Sequence, residues 1–302
     1  MEVILGKKAG FCPGVKNTVI KAKNNLAKNK EIYCLGQLVH NPLVTEKLEK
    51  RGMKIVENIN DVPNGSKLII RAHGISKEIY DEIEKKDINL IDLTCPKVLQ
   101  IHKKVQEYTK RNYYIILIAE KNHPETIGTY SFAGKNASVV EKLEDIDIAV
   151  EEIVKKNIRN ITIFAQTTFS MDKFDQYTKI IKTKIPKESN LEINKTICDS
   201  TKLRQIETCE IANQVELMII LGSKKGSNTN KLYDIAVKEC RNAMMVETMK
   251  DLYLNYIRRF KKVGVMAGAS TPQDMIDDVV EILKNTETEG YMYENSREME
   301  RL

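Results

Sequence analysis

The chain has no Gly-x-Gly-x-x-Gly fingerprint, no Cys-x-x-Cys pair and no apolar run near membrane length. The first absence argues against a bound nicotinamide or flavin, whose pyrophosphate needs that glycine-rich turn. The longest apolar runs, Tyr113–Ala119 and Leu217–Leu221, have strand length and fall short of the eighteen or so residues that cross a bilayer. The amino terminus carries an acid within its short apolar run and lacks the long apolar stretch and cleavage site of a secretory signal. A cytoplasmic protein without a membrane partner is therefore expected. Aromatic residues are scarce at 6%, and none interrupts the lysine-rich stretches Lys16–Lys30 and Lys179–Lys187. The excess of six positive charges reads as solvated helical faces rather than a nucleic-acid site. It also suits an anionic small substrate.

Short apolar runs alternate with longer stretches in which apolar residues recur three and four apart. The runs are Glu2–Leu5, Ile32–Leu35, Lys67–Ile70, Asn89–Ile91, Tyr113–Ala119, Ile161–Ala165, Glu216–Leu221 and Val263–Ala267. Helical stretches between them include Val15–Lys28, Val98–Arg111, Thr201–Gln214 and Asn230–Cys240. This alternation predicts βαβ units and mainly parallel sheets covered by helices. Five of the runs give way to small or hydrogen-bonding residues, at His73-Gly74, Asn122-His123-Pro124-Glu125, Gln166-Thr167-Thr168, the loop 222–228 and Gly268-Ala269-Ser270. Ligands of open parallel sheets sit outside such carboxyl ends. The expected class is α/β, with three similar lobes around a common centre: residues 14–95, 96–194, and 195–284 with 1–13. A polar, acidic tail, 285–302, is expected to be peripheral or poorly ordered.

Six cysteines in a reducing compartment are expected as free thiols or metal ligands rather than disulfides. Cys34, Cys209 and Cys240 sit in ordinary strand-like or helix-like surroundings and read as small buried hydrophobes. The other three differ. They occupy Gly10-Phe11-Cys12-Pro13-Gly14, Leu93-Thr94-Cys95-Pro96 and Thr196-Ile197-Cys198-Asp199-Ser200, and stand 83 and 103 residues apart. Soft thiolates from remote segments suit an iron–sulfur centre, and three of them leave one iron of a [4Fe–4S] cubane open to substrate. Structural zinc is the competing reading, and the lack of paired cysteines weighs against it.

Nine short motifs in order carry a more specific signal. They are Gly-Phe-Cys-Pro-Gly-Val (10–15), Val-His-Asn (39–41), Ala-His-Gly (72–74), Thr-Cys-Pro (94–96) and His-Pro-Glu (123–125). Gln-Thr-Thr (166–168), Ile-Cys (197–198), Gly-Ser-Lys-Lys-Gly-Ser-Asn (222–228) and Ala-Gly-Ala-Ser (267–270) complete the set. Together, and up to about Lys284, they resemble the 4-hydroxy-3-methylbut-2-enyl diphosphate reductase family, which performs the last step of the methylerythritol phosphate route to isoprenoids. The resemblance implies three α/β lobes in pseudo-threefold arrangement around a [4Fe–4S] cluster held by Cys12, Cys95 and Cys198. It implies a substrate diphosphate held by His40, His73, His123, Ser227, Asn228 and Ser270, groups whose N–H and O–H donors suit phosphate oxygen. Glu125 matches the proton source, which must carry a proton although an ordinary Glu ionises near pH 4.3. Thr167 matches a proton-relaying and substrate-orienting hydroxyl, with Gln166 beside it. Ferredoxin or flavodoxin is the implied electron donor. One departure is Gly226, where the family often has serine; a backbone N–H is the remaining donor expected there. His102, on a lysine-rich helix, reads as an ordinary core or surface residue.

Three rival readings remain. An iron–sulfur redox sensor without turnover explains the thiols but not the histidines and the acid. A metal-dependent phosphoester enzyme explains the phosphate pocket but not three converging cysteines. An acidic tail could also lead into fused RNA-binding repeats, although nothing within these residues forms such a domain.

Overall fold

The computed structural model describes residues 1–286, so the tail expected over 285–302 lies almost wholly outside the described residues. The chain opens with β1 (Glu2–Leu5) and α1 (Pro13–Leu26). Next come β2 (Ile32–Leu35), α2 (Pro42–Glu49), β3 (Met53–Val56), β4 (Lys67–Ile70), α3 (Lys77–Glu84) and β5 (Asn89–Asp92). The middle of the chain forms α4 (Pro96–Lys110), β6 (Tyr114–Ile118), α5 (Pro124–Ser131), β7 (Ala137–Val140), α6 (Leu143–Lys155), β8 (Asn160–Ala165), α7 (Met171–Lys184) and β9 (Asn190–Asn194). The remainder forms α8 (Asp199–Ala212), β10 (Leu217–Leu221), α9 (Ser227–Glu239), β11 (Ala243–Val246), α10 (Leu254–Ile257), β12 (Lys262–Ala267) and α11 (Gln273–Asn285).

These strands make three four-stranded sheets, ordered β3-β2-β4-β5, β7-β6-β8-β9 and β11-β10-β12-β1, and every pairing is parallel. The three share one topology, except that the first strand of the chain supplies the fourth position of the last sheet. Each sheet is apolar on both faces, as parallel sheets under helices must be. In β6, Tyr114, Ile116 and Ile118 enter one apolar cluster while Ile115 and Leu117 enter another. In β10, Leu217, Ile219 and Leu221 face one way and Met218 and Ile220 the other. Among the described residues, no helix is long and apolar enough to cross a membrane.

Four strands, β3, β7, β9 and β11, escape the search for apolar runs. All four lie at sheet edges, where one flank has no neighbour and half-exposed residues suffice. The helices α1, α4 and α8 begin at Pro13, Pro96 and Asp199, two residues before the expected starts. Their first turns hold Pro, Gly, Asp and Ser, which carry no apolar period although Pro at the first helical position is itself a start signal. Cys34 and Cys240 are buried as expected. Cys209 is a correction: it sits only half-buried on α8, between buried Thr208 and exposed Glu210, with Asn213 Nδ2 3.8 Å from its sulfur. His102 is a buried core residue stacked on Phe132, with ring centroids 4.7 Å apart.

Candidate active site

The fourth strand of each sheet leads into a cysteine that caps a helix. After β1 comes Cys12 at the amino end of α1; after β5, Cys95 precedes α4; after β9, Cys198 precedes α8. Cys12 Sγ accepts the Val15 N–H at 3.4 Å, and Cys198 Sγ accepts that of Thr201 at 3.4 Å with the Thr201 hydroxyl 3.1 Å away. Helix amino ends favour thiolate. Burial works against it, pushing the Cys95 and Cys198 thiols up, and the neighbouring cysteines add to the cost. Three thiolates held together here would need a cationic centre among them, such as an iron–sulfur cluster would supply. The missing side chain at Gly14 keeps the space beside two of them open. A Cβ on Gly14 would stand 2.8 Å from Cys95 Sγ and 3.8 Å from Cys12 Sγ, so only glycine leaves the room between the two sulfurs clear.

Facing the sulfurs across one cavity are His40, His73, His123, Glu125, Thr167, Ser227, Asn228 and Ser270. The three imidazoles pack ring against ring, with centroids 4.4, 5.5 and 5.3 Å apart. Burial lowers all three from the ordinary histidine value, His73 well below it and His123 to about 4; the Arg71 charge adds to the effect. That direction favours the uncharged imidazoles in the ligand-free protein. His123 also caps α5, and its Nδ1 accepts the Glu125 N–H at 3.1 Å. That bond leaves the proton on Nε2, available to a ligand. His40 Nε2, His73 Nδ1 and both amide atoms of Asn228 are buried without a partner. Buried polar atoms are almost always satisfied, so this convergence marks a place for a polar ligand.

Glu125, 3% exposed, receives the Thr167 N–H on Oε1 at 2.7 Å and the Thr167 hydroxyl on Oε2 at 2.6 Å. Burial pushes its carboxyl up to about 7, outweighing the two Thr167 bonds that act downward. Ser270 donates to the His40 carbonyl at 2.9 Å, and Ser227 to Glu120 at 2.8 Å. Gln166 does not line the cavity, although its Nε2 donates to Ser227 Oγ at 3.4 Å. It is buried behind the cavity wall, accepting the Glu120 N–H at 2.9 Å and donating to Thr168 Oγ1 at 2.8 Å, so it braces the wall. The donor expected at Gly226 is also engaged elsewhere, because its N–H donates to the Ser223 carbonyl at 2.9 Å.

The family described as LytB protein matches residues 3–284. The chain belongs to that family. A protein of Clostridioides difficile (strain 630), called 4-hydroxy-3-methylbut-2-enyl diphosphate reductase, is 37% identical over 289 residues, covering 94% of this chain and all of that protein. A Plasmodium falciparum structure, described as E-1-hydroxy-2-methyl-but-2-enyl-4-diphosphate reductase, superposes with TM-score 0.88 at 33% identity, covering 98% of this chain and 94% of that one. A second structure, described as (E)-4-hydroxy-3-methyl-but-2-enyl diphosphate reductase, the terminal enzyme of the non-mevalonate pathway, gives TM-score 0.67 at 35% identity. It covers 94% of this chain and 99% of that one. The LytB fold is thus the three-lobed, all-parallel α/β arrangement described above.

Sequence reasoning missed several LytB side chains that stand behind the cavity's lining and act on it. Arg71, at the end of β4, acts on all three histidines. Buried Arg204 on α8 donates to the carbonyls of Ser200 and Gly10 and acts on Cys12 and Cys198. Glu120 stands two residues past the end of β6 and pairs with Lys231 Nζ at 2.8 Å. Lys231 could have been found from its place one helical turn after Ser227. A larger surface groove of about 920 Å³, bordered by Ile127, Tyr130 and Ile148, is lined by neither cysteine nor histidine.

Proposed function

We propose that this protein removes the allylic hydroxyl of 4-hydroxy-3-methylbut-2-enyl diphosphate reductively. The substrate takes up two electrons and two protons and yields water with isopentenyl or dimethylallyl diphosphate. The observation that carries the reading is the meeting, in one cavity, of three helix-capping cysteines, three histidines and a protonatable buried acid. Cys12, Cys95 and Cys198 would hold one [4Fe–4S] cluster with an iron left open. When bound, the cluster supplies Lewis acidity and delivers, one at a time, the electrons taken from ferredoxin or flavodoxin in the cytoplasm.

The protein's own groups divide the remaining work. His40 Nε2, His73 Nδ1, His123 Nε2–H, the Asn228 amide and the hydroxyls of Ser227 and Ser270 bind and orient the diphosphate. Thr167 places the proton on Glu125. Its N–H faces Oε1 in either protonation state, so the proton resides on Oε2. With Glu125 protonated, Oε2–H donates to Thr167 Oγ1, and the threonine hydrogen turns outward to the cavity. That hydrogen reaches the departing hydroxyl, and Glu125 replaces it. A carboxyl titrating near neutrality suits this duty, since a general acid works best close to the operating pH.

The test is an anaerobic assay of the iron-loaded protein with the hydroxylated diphosphate and reduced methyl viologen. Formation of the two product diphosphates is expected. A protein with full iron and sulfide content that leaves the alcohol unconsumed would refute the reading and favour a redox sensor.

A further inference from the structure

Glu120 Oε1 receives two donors from one face of α9: the Ser227 hydroxyl at 2.8 Å and Lys231 Nζ at 2.8 Å. Ser227 and Lys231 are one helical turn apart, at the amino end of that helix, so both converge on the same oxygen. The contact ties the loop after β6 to the third sheet's helix and is largely shielded, the Lys231 side chain being 15% exposed and that of Glu120 27%. It is also braced. Gln166 holds the Glu120 N–H at 2.9 Å and donates to Thr168 Oγ1 at 2.8 Å, and Thr168 donates in turn to Ser227 Oγ at 3.1 Å.

A carboxylate is a misplaced neighbour for a cavity whose unpartnered donors await an anion. The hydroxyl and ammonium that hold Glu120 are also the donor set that a phosphate oxygen requires. We propose that Glu120 is an internal anion that occupies the Ser227–Lys231 donor pair in the ligand-free protein, and that a phosphate oxygen of the substrate displaces it and gains Lys231 as a ligand. This rests on the diphosphate reading of the cavity. Burial disfavours charge on the histidines, and Lys97 is the lysine that lines the cavity; Lys231, behind Ser227, would add a second positive charge once released from Glu120. Displacement costs the Glu120–Lys231 ion pair, which makes the site selective for ligands charged enough to replace it. A monoanionic group would not offset that loss.

Inorganic pyrophosphate, titrated calorimetrically into the anaerobically purified, cluster-containing full chain, tests this. Glu120→Gln removes the competing charge and is expected to tighten binding by about tenfold, the scale of one shielded charge pair. Glu120→Ala should act in the same direction. Adding Lys231→Met to Glu120→Gln should weaken binding again by about tenfold. Unchanged or weaker binding by both Glu120 variants overturns the proposal. So does a Lys231→Met change that is silent in the Glu120→Gln background, because Lys231 would then serve only as the counter-ion of Glu120. If wild type binds pyrophosphate in competition with substrate, those failures leave the diphosphate reading standing. If wild type and every variant fail to bind, that reading falls and this proposal with it.

Discussion

Arg204 fastens Gly10: its guanidinium, on the second turn of α8, donates to the carbonyl two residues before Cys12. A second donor from the same group reaches the Ser200 carbonyl at 2.9 Å, just past Cys198. One buried side chain thus links the peptide before one thiol to the helix capped by another. Arg204→Met should lower stability by about 2 kcal/mol, the scale for losing charged hydrogen bonds to buried carbonyls. It should also lower the iron retained per chain. Thermal unfolding together with iron and sulfide analysis measures both.

Gly14→Ala separates the cluster site from the fold. Alanine favours a helix over glycine by about 1 kcal/mol, so α1 itself should gain. The added methyl, however, would stand 2.8 Å from Cys95 Sγ. Iron and sulfide content should drop while far-ultraviolet circular dichroism and the melting temperature hold or improve.

Glu125→Gln should retain the visible absorption of the iron–sulfur centre and lose about 10²–10⁴ in turnover, the usual worth of a positioned general acid. Thr167→Val keeps the N–H to Oε1 but removes the relaying hydroxyl, so it should lose turnover on the same scale as Glu125→Gln. In wild type, turnover should fall as pH rises through about 7, where the buried carboxyl gives up its proton. A pH–rate series on the wild type and Thr167→Val checks this limb, and equal rates at pH 6 and pH 9 would remove Glu125 from the mechanism.

The same carboxyl leaves a mark on stability. Its folded value of about 7 lies above the ordinary 4.5, so the folded protein binds this proton more tightly than the unfolded chain does. Below about pH 4.5 both states are protonated and the group contributes nothing. Between about 4.5 and 7 the unfolded chain releases the proton first, so stability declines as pH rises, by on the order of 3 kcal/mol in total. Above 7 the penalty is constant. Melting temperatures of the cluster-free protein and its Glu125→Gln variant should therefore converge at low pH and diverge toward neutrality, with the variant the more stable.

Asn228→Ala should divide binding from stability. Both amide atoms are buried without partners in the ligand-free protein, so their removal should stabilise it by about 1 kcal/mol. The Michaelis constant for substrate should rise at least tenfold. Chemical denaturation and steady-state kinetics on one preparation measure the two effects.

Much of this arrangement is encoded locally. The interior strands β6, β8 and β10 announce themselves as apolar runs because both of their faces are buried. Cys12, Cys95, Cys198 and His123 sit at strand-to-helix turns that are visible as motifs. The edge strands β3, β7, β9 and β11 were not visible, because half-exposed edges impose no continuous apolar pattern. Nor could Gln166 be told from its neighbours in Gln-Thr-Thr, since the side on which a strand-end amide finds its partner depends on a loop from another strand.

By itself the sequence determined the types of the interior elements, the parallel α/β class and which turns carry donors, thiols and an acid, since each depends on periodicity and residue chemistry over a few positions. Tertiary structure alone decided that Ser270 holds the His40 carbonyl and that Glu120 lies against Lys231. Those partners stand roughly one hundred residues apart or more, and they meet only because burying both faces of three sheets leaves a single way for the strand ends to converge.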